Sequence, residues 1–160
     1  MFLQTNRLTL RDFTLNDLDD LADLLANEEV MRFSVGGPLS CSQVKDYLEN
    51  RIMGHYPQHG FGLYAVVPAK DNRVIGYAGF MLQSIDGKEF VELGYRLHPS
   101  FWGKGLASEA AQALIEYGFN NLHFDRIISI IDPRNSRSLK VAARAGMHYW
   151  KDAAFHGISV

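Results

Sequence analysis

A strand-like run, Phe90 to Leu97, leads through His98-Pro99-Ser100-Phe101-Trp102-Gly103-Lys104-Gly105 into a strongly periodic helix, Leu106 to Asn120. This order of strand, glycine loop and helix constrains the fold more than any other feature of the chain. The helix carries Leu106, Ala107, Ala110, Ala111, Leu114, Ile115, Gly118 and Phe119 on one apolar face. It is therefore expected to cross a sheet and deliver the chain to a strand parallel to the first. Two glycines at the mouth of a helix leave backbone N–H groups bare, because no side chain blocks approach and the first turn has no intrahelical acceptors. With the helix dipole added, such a mouth receives a phosphate or pyrophosphate.

The rest of the chain supplies the layers around that unit. Arg7 to Arg11 alternates with period two and reads as a strand. Thr14 with Asp17 forms a capping box before Leu18, Leu21, Ala22, Leu24 and Leu25, and Ser40 with Gln43 forms another before Val44, Tyr47, Leu48 and Ile52. Phe61 to Val67 and Val74 to Leu82 read as strands about a turn at Lys70-Asp71-Asn72. Asp86-Gly87 then turns the second of them into Phe90 to Leu97. Arg126 to Ile131 is a β-rich run, Asn135 to Ala145 a short helix closed by Gly146, and Met147 to Trp150 a further strand, with a last short one at Gly157 to Val160. Gly94 suggests a bulge or splay in its strand. The expectation is one α/β domain over 1–160, with a mixed, twisted sheet of six to seven strands flanked by four helices. The glycine loop falls at the carboxyl end of a strand where connectivity changes, the place where open α/β sheets hold ligands.

Several function classes are excluded by composition. The 160 residues suffice to bury about 70% of the surface of the unfolded chain. A net charge of −2 argues against broad nucleic-acid binding. No apolar run approaches the roughly 20 residues that span a bilayer, and the opening Met1 to Arg7 lacks a signal-peptide core. A single cysteine, Cys41, fits a reducing, cytoplasmic setting and is expected as a buried small residue. His55 and His59 stand four apart, but Pro57 between them argues against a continuous helix, and no metal set is expected. Phe33, Trp102 and Trp150 are expected in the core or as pocket walls. Acidic residues crowd the first thirty positions (Asp12, Asp17, Asp19, Asp20, Asp23, Glu28, Glu29), and Arg126, Arg134, Arg137, Lys140 and Arg144 crowd the last third. Solvated surface accounts for both; the functional alternative is an acidic end for a cationic ligand and a basic end for an anionic one.

Four features together resemble the GNAT superfamily of acyl-CoA-dependent N-acetyltransferases. They are Val91-Glu92-Leu93-Gly94-Tyr95-Arg96-Leu97, the loop Trp102-Gly103-Lys104-Gly105-Leu106-Ala107, Asn135-Ser136-Arg137-Ser138, and Ala145-Gly146-Met147. The opening Thr5-Asn6-Arg7-Leu8-Thr9-Leu10-Arg11 is similar to the branch of ribosomal-protein N-alpha-acetyltransferases (RimJ/RimL type), and the match runs from about Thr5 to Trp150. Trp102 holds the place of the usual Gln or Arg at the loop's start. The chain stops at Val160, where a seventh strand would begin, so the last hairpin is expected to be abbreviated.

The resemblance implies acetyl-CoA as cosubstrate, no metal, and a protein N-terminus or small primary amine as acceptor, in a monomer or homodimer. The coenzyme A pyrophosphate would accept from the amides of Trp102, Gly103, Lys104, Gly105, Leu106 and Ala107, with side-chain contacts from Lys104 and Ser108. The pantetheine arm would lie along the strand ending at Leu97, whose N–H would polarise the thioester carbonyl. Asn135 would contact the arm, and Ser138, near the sulfur, would give the thiolate its proton. Glu92 shares strand parity with Gly94 and Arg96, opposite Leu93, Tyr95 and Leu97, so it faces a polar cleft and either handles the amine proton or pairs with Arg96. Asn135 is also a plain helix N-cap on local grounds. Two other classes compete: a silent acyl-CoA sensor of the same fold, and a nucleotide-dependent oxidoreductase, which lacks its third glycine. A Walker loop fails because Gly105 follows Lys104.

Overall fold

The computed structural model describes residues 2–160. Six strands form one sheet in sequence order: β1 (Phe2–Gln4), β2 (Leu8–Arg11), β3 (Leu63–Pro68), β4 (Gly76–Ile85), β5 (Lys88–Leu97) and β6 (Ile127–Ile128). All neighbours are antiparallel except β5 and β6, which the crossover helix α5 (Leu106–Asn120) joins in parallel, as its apolar face requires. The β4–β5 turn has Asp86 at φ 51° and Gly87 at φ 73°, the paired left-handed conformation of a two-residue hairpin.

Each face of the sheet carries its own apolar layer. Tyr64, Val66, Ala78, Phe80 and Leu93 pack against Ala110, Ala111 and Leu114 of α5. On the other face Leu63, Ala65, Val67, Tyr77 and Met81 meet α1 (Leu18–Ala26), through Leu21, Leu24 and Leu25, and the segment carrying Val44, Leu48 and Ile52. Full burial of an aliphatic side chain such as Leu114 contributes about 1.5–3 kcal/mol.

Both capping boxes form. Thr14 N–H donates to the Asp17 carboxylate at 2.8 Å, and Arg11 Nη1 and Nη2 donate to its two oxygens at 2.8 Å each. Burial would raise the Asp17 pKa, but the Arg11 and Thr14 hydrogen bonds outweigh it and hold the carboxyl below its ordinary 3.8. A carboxyl depressed in the folded state adds stability above its unfolded value and loses it as pH falls through the folded one. Asp17→Asn should therefore lower unfolding free energy by about 1–3 kcal/mol at neutral pH. The deficit should shrink below about pH 4, as urea titrations at both pH values would read.

The structure departs from the expectation at several points. The four flanking helices become six segments. Asn27 caps a separate turn, α2 (Glu28–Met31), by accepting from the N–H groups of Glu29 and Val30. The Ser40 box opens α3 (Cys41–Asp46), which widens into a π-helical stretch over Tyr47–Met53 before α4 (His55–His59). Pro57 does not break α4: it sits at the third position, where a missing N–H costs nothing. The last helix, α6 (Ser136–Arg144), is N-capped by Asn135 as expected. Cys41 is exposed rather than buried, because it starts α3 while Val44 turns inward. Only Ile127–Ile128 of the 126–131 run pair as a strand. Met147–Trp150 forms no strand, and Trp150 lies half-exposed against Phe90. Gly94 makes no bulge, since β4 and β5 pair without interruption from Gly76↔Leu97 to Ile85↔Lys88; the splay alone is realised, on the β6 side. The C-terminal hairpin, β7 (Ala154–Phe155) with β8 (Ile158–Ser159), is short and separate from the main sheet. Among the described residues no helix is long and apolar enough to cross a membrane.

Candidate functional site

β5 pairs with β6 only at Val91↔Ile127 and Glu92↔Ile128, and beyond that the two strands part. The Ser129 hydroxyl donates to the Leu93 carbonyl at 2.7 Å, and the Trp102 indole donates to that of Leu97, also at 2.7 Å. The His98 N–H, one residue on, points the other way and donates to Ile75 across the sheet. Because a residue's N–H and C=O share a side in a strand, the amides of Leu93, Tyr95 and Leu97 face the splayed edge. An open backbone edge of this kind accepts an extended ligand as an added strand.

The glycine loop closes one end of that edge. Gly103 and Gly105 hold φ of 73° and 76°, conformations that glycine adopts without strain, and a Cβ on Gly103 would meet nothing within 4 Å. The ladder of α5 opens with Glu109 N–H donating to the Gly105 carbonyl at 3.0 Å. The amides of Leu106, Ala107 and Ser108 precede it and have no acceptor within the helix. A staple from the other end of the chain fixes this loop. Glu109 Oε1 accepts from Thr5 Oγ1 at 2.6 Å and from Arg7 N–H at 2.9 Å, while Arg7 Nε reaches Oε2 at 2.6 Å and Nη1 reaches the Lys104 carbonyl at 2.8 Å.

These features border one cleft of about 1170 Å³. Of the expected site residues, Glu92, Leu97, Trp102, Gly103, Gly105, Leu106, Ala107, Ser108, Asn135 and Ser138 line it. Lys104 is not among the lining residues; its ammonium sits 5.2 Å over the Phe101 ring. Asn135 spends its side-chain oxygen on the Ser138 N–H at 3.2 Å. Ser138 Oγ donates to the Tyr95 phenol oxygen at 3.1 Å, and that phenol donates to the Ser138 carbonyl at 2.9 Å. Burial raises the Tyr95 pKa against the Ser138 hydrogen bond, so the phenol keeps its proton at neutral pH.

Glu92 stands where the strands part. Its carboxylate accepts from Gln83 Nε2 at 2.8 Å, and the Ile130 N–H lies near enough to favour its charged form. Burial raises its pKa above the usual carboxylate range, and the opposing pull of Gln83, Ile130 and Arg96 does not cancel it. Glu92 and Arg96 lie on the α1–α2 face of β5 and Tyr95 on the α5–α6 face, so the cleft passes through the sheet. Arg137 of α6 spans its mouth, 4.3 Å over Trp102 and ion-paired with Glu29 at 3.2 Å.

Sequence reasoning missed the Tyr95 hydroxyl, which read as part of an apolar stripe, and the Thr5–Arg7–Glu109 staple. The acidic cluster near the N-terminus is engaged internally: Asp17 by Arg11, Asp20 and Asp23 by Arg73, and Glu29 by Arg137. Among the described residues no group of three metal-ligating side chains gathers.

Comparison with known proteins fits this geometry. A family model described as an acetyltransferase (GNAT) domain matches residues 7–148. The chain is 35% identical over 142 residues to the uncharacterized N-acetyltransferase p20 of Bacillus licheniformis, spanning 87% of this chain and 78% of that protein. A crystal structure of a GNAT-family acetyltransferase from Bacillus anthracis superposes with a TM-score of 0.82 at 26% identity, covering 95% of this chain and 86% of the other. RimL, an alpha-N-protein acetyltransferase solved with coenzyme A, shares the fold at a TM-score of 0.81 and 21% identity, over 99% and 92% of the two chains.

Proposed function

The chain belongs to the GNAT acetyltransferase family, and we propose that this N-acetyltransferase works by direct attack of a primary amine on acetyl-CoA within a ternary complex. The observation that carries the proposal is the splayed β5 edge, with the glycine loop at one end and a carboxyl of raised pKa at the other.

The loop from Gly103 to Ala107 and the mouth of α5 hold the diphosphate of coenzyme A through main-chain amides; the Trp102 N–H, expected among them, is instead spent on the Pro99 carbonyl at 3.0 Å. Hydrogen bonds to a charged acceptor contribute about 1.5–3 kcal/mol each, so three or four anchor it without a basic side chain. Ser108 in the first turn adds its hydroxyl. Lys140 and Arg144, which also line the cleft, give the same wall a positive field. Tyr95 and Leu97 offer their outward amides to the carbonyls of the pantetheine arm and the thioester, and Asn135 borders the arm. Glu92 takes the amine proton, directly or through a water. The departing thiolate receives a proton from the Ser138 hydroxyl, which turns from the Tyr95 oxygen to reach the sulfur and regains a proton from the Tyr95 phenol, itself reprotonated by solvent. A thiol pKa near 8.5 means that this last step needs little help.

The test is release of free thiol from acetyl-CoA in the presence of amines, with mass spectrometry of the enzyme. Transfer without an acetylated enzyme is expected; an acetyl group on the protein during turnover would overturn direct attack. The staple makes a separate expectation. Glu109→Ala frees Arg7 and Thr5 and should raise the Kd for coenzyme A about 5- to 10-fold while leaving kcat within about 2-fold, since it shapes the loop rather than the reacting end. Calorimetry and saturation kinetics read the two apart.

A further inference from the structure

One charged side chain in the cleft has no use in the transfer just described. Arg96 is half-buried on the α1–α2 face of β5, the face that also carries Glu92. Its Nη2 donates to Ser34 Oγ at 2.6 Å, its Nη1 lies 2.8 Å from the Met31 sulfur, and its guanidinium stands 5.6 Å over the Tyr77 ring. All three partners are neutral. Of the nearby carboxylates, Glu29 pairs with Arg137, and Glu92 meets Gln83 and feels the Arg96 charge without forming an ion pair with it. Among the described residues no ion pair to Arg96 is found. A guanidinium withdrawn from bulk water is ordinarily matched by an anion, and this one faces a cleft with donors unspent.

The same wall is rich in other donors. Arg32 and Arg51 line the same cleft. Burial pushes the Tyr47 phenol far above its usual pKa and the neighbouring Tyr77 hydroxyl pushes it the same way, against the pull of Arg96 and Arg51, so it stays protonated and adds no negative charge. Glu92 is the one carboxylate left to face an amine there, and Arg96 is close enough for its charge to bear on it.

Resting on the acetyltransferase reading above, we infer that the acceptor is a compact amine that also carries a carboxylate, with its amino group toward Glu92 and its carboxylate on Arg96. A polycationic amine would bring charge to a wall that already has an excess of the same sign, so the wall discriminates against it. Ser34 and Met31 hold the guanidinium in place before the acceptor arrives, which lowers the ordering cost of binding.

The test pairs acceptors that differ only at the carboxylate. Phenylalanine is compared with phenylalaninamide and methionine with methioninamide, at a pH where both amines are mostly neutral, with spermidine as the polycation. The carboxylated member of at least one pair should have a kcat/KM higher by at least about 30-fold, with spermidine unused. Arg96→Gln should erase that preference chiefly through KM, and Arg96→Lys should restore part of it. Equal or better use of the amides or spermidine, failure to acetylate either carboxylated amine, or an Arg96→Gln enzyme slowed alike on both members would overturn the assignment. Should Arg96→Gln fail to fold, the acceptor pairs on the unaltered enzyme decide the matter. Coenzyme A affinity is measured alongside. An unaltered enzyme that does not bind it defeats the acetyltransferase reading itself, whereas bound coenzyme A with turnover blind to the carboxylate defeats only the role of Arg96.

Discussion

Gly105→Asp should raise the Kd for coenzyme A at least about 100-fold while leaving the protein folded. Gly105 is the residue before α5 and holds φ at 76°, with Arg7 Nη2 3.6 Å from where its Cβ would stand. Space is therefore not the obstacle. The substituted side chain puts a fixed carboxylate beside the first-turn amides, where the diphosphate binds, and repels it. Losing one or two charge-assisted bonds of about 1.5–3 kcal/mol each accounts for the factor. Gly105→Ala separates charge from conformation: it introduces only the left-handed strain, of about 1–2 kcal/mol, and should weaken binding about 10-fold. Calorimetry on the three proteins, with circular dichroism to confirm folding, gives the comparison. Equal affinities would mean that the diphosphate lies elsewhere.

Glu92→Gln should lower kcat by about 100- to 1000-fold with little change in coenzyme A affinity, the usual range for a lost general base. Glutamine keeps the shape and can still meet Gln83 after an amide flip, so packing is conserved. The proton acceptor is lost. Burial raises the Glu92 carboxyl, so in the unaltered enzyme activity should fall as pH drops through a pKa above that of an ordinary glutamate. The direction follows because only the ionised form takes a proton. The variant should lack that acidic limb. A variant that retains both rate and acidic limb would assign proton removal to solvent.

The two predictions draw on parts of the molecule that the sequence discloses unequally. Helix α5 was legible to the residue, Leu106 to Asn120, because apolar periodicity and a glycine mouth are local signals. Asp86-Gly87 and both capping boxes were legible for the same reason. The reach of a strand depends on its neighbour, so the 126–131 run could not disclose that only two residues pair before the sheet opens. Met147–Trp150 has strand-forming side chains yet pairs with no strand of the sheet. The Thr5–Glu109 bond joins residues 104 apart in sequence, beyond any periodicity. Tyr95 was misjudged because an apolar stripe hides a hydroxyl that only the approach of α6 puts to use. The acidic N-terminal region pointed toward a cationic acceptor, yet Arg11, Arg73 and Arg137 engage much of it, and the wall facing the cleft bears arginines instead.

The most direct measurement is a calorimetric comparison of dephospho-coenzyme A, which keeps the diphosphate, with pantetheine, which lacks it, on the unaltered protein and on Gly105→Asp. Main-chain amides at residues 103–107 gripping the diphosphate predict that the unaltered protein favours dephospho-coenzyme A by at least about 100-fold and that Gly105→Asp loses most of that preference. Equal binding of the two ligands by the unaltered protein, or a preference untouched by Gly105→Asp, would contradict it.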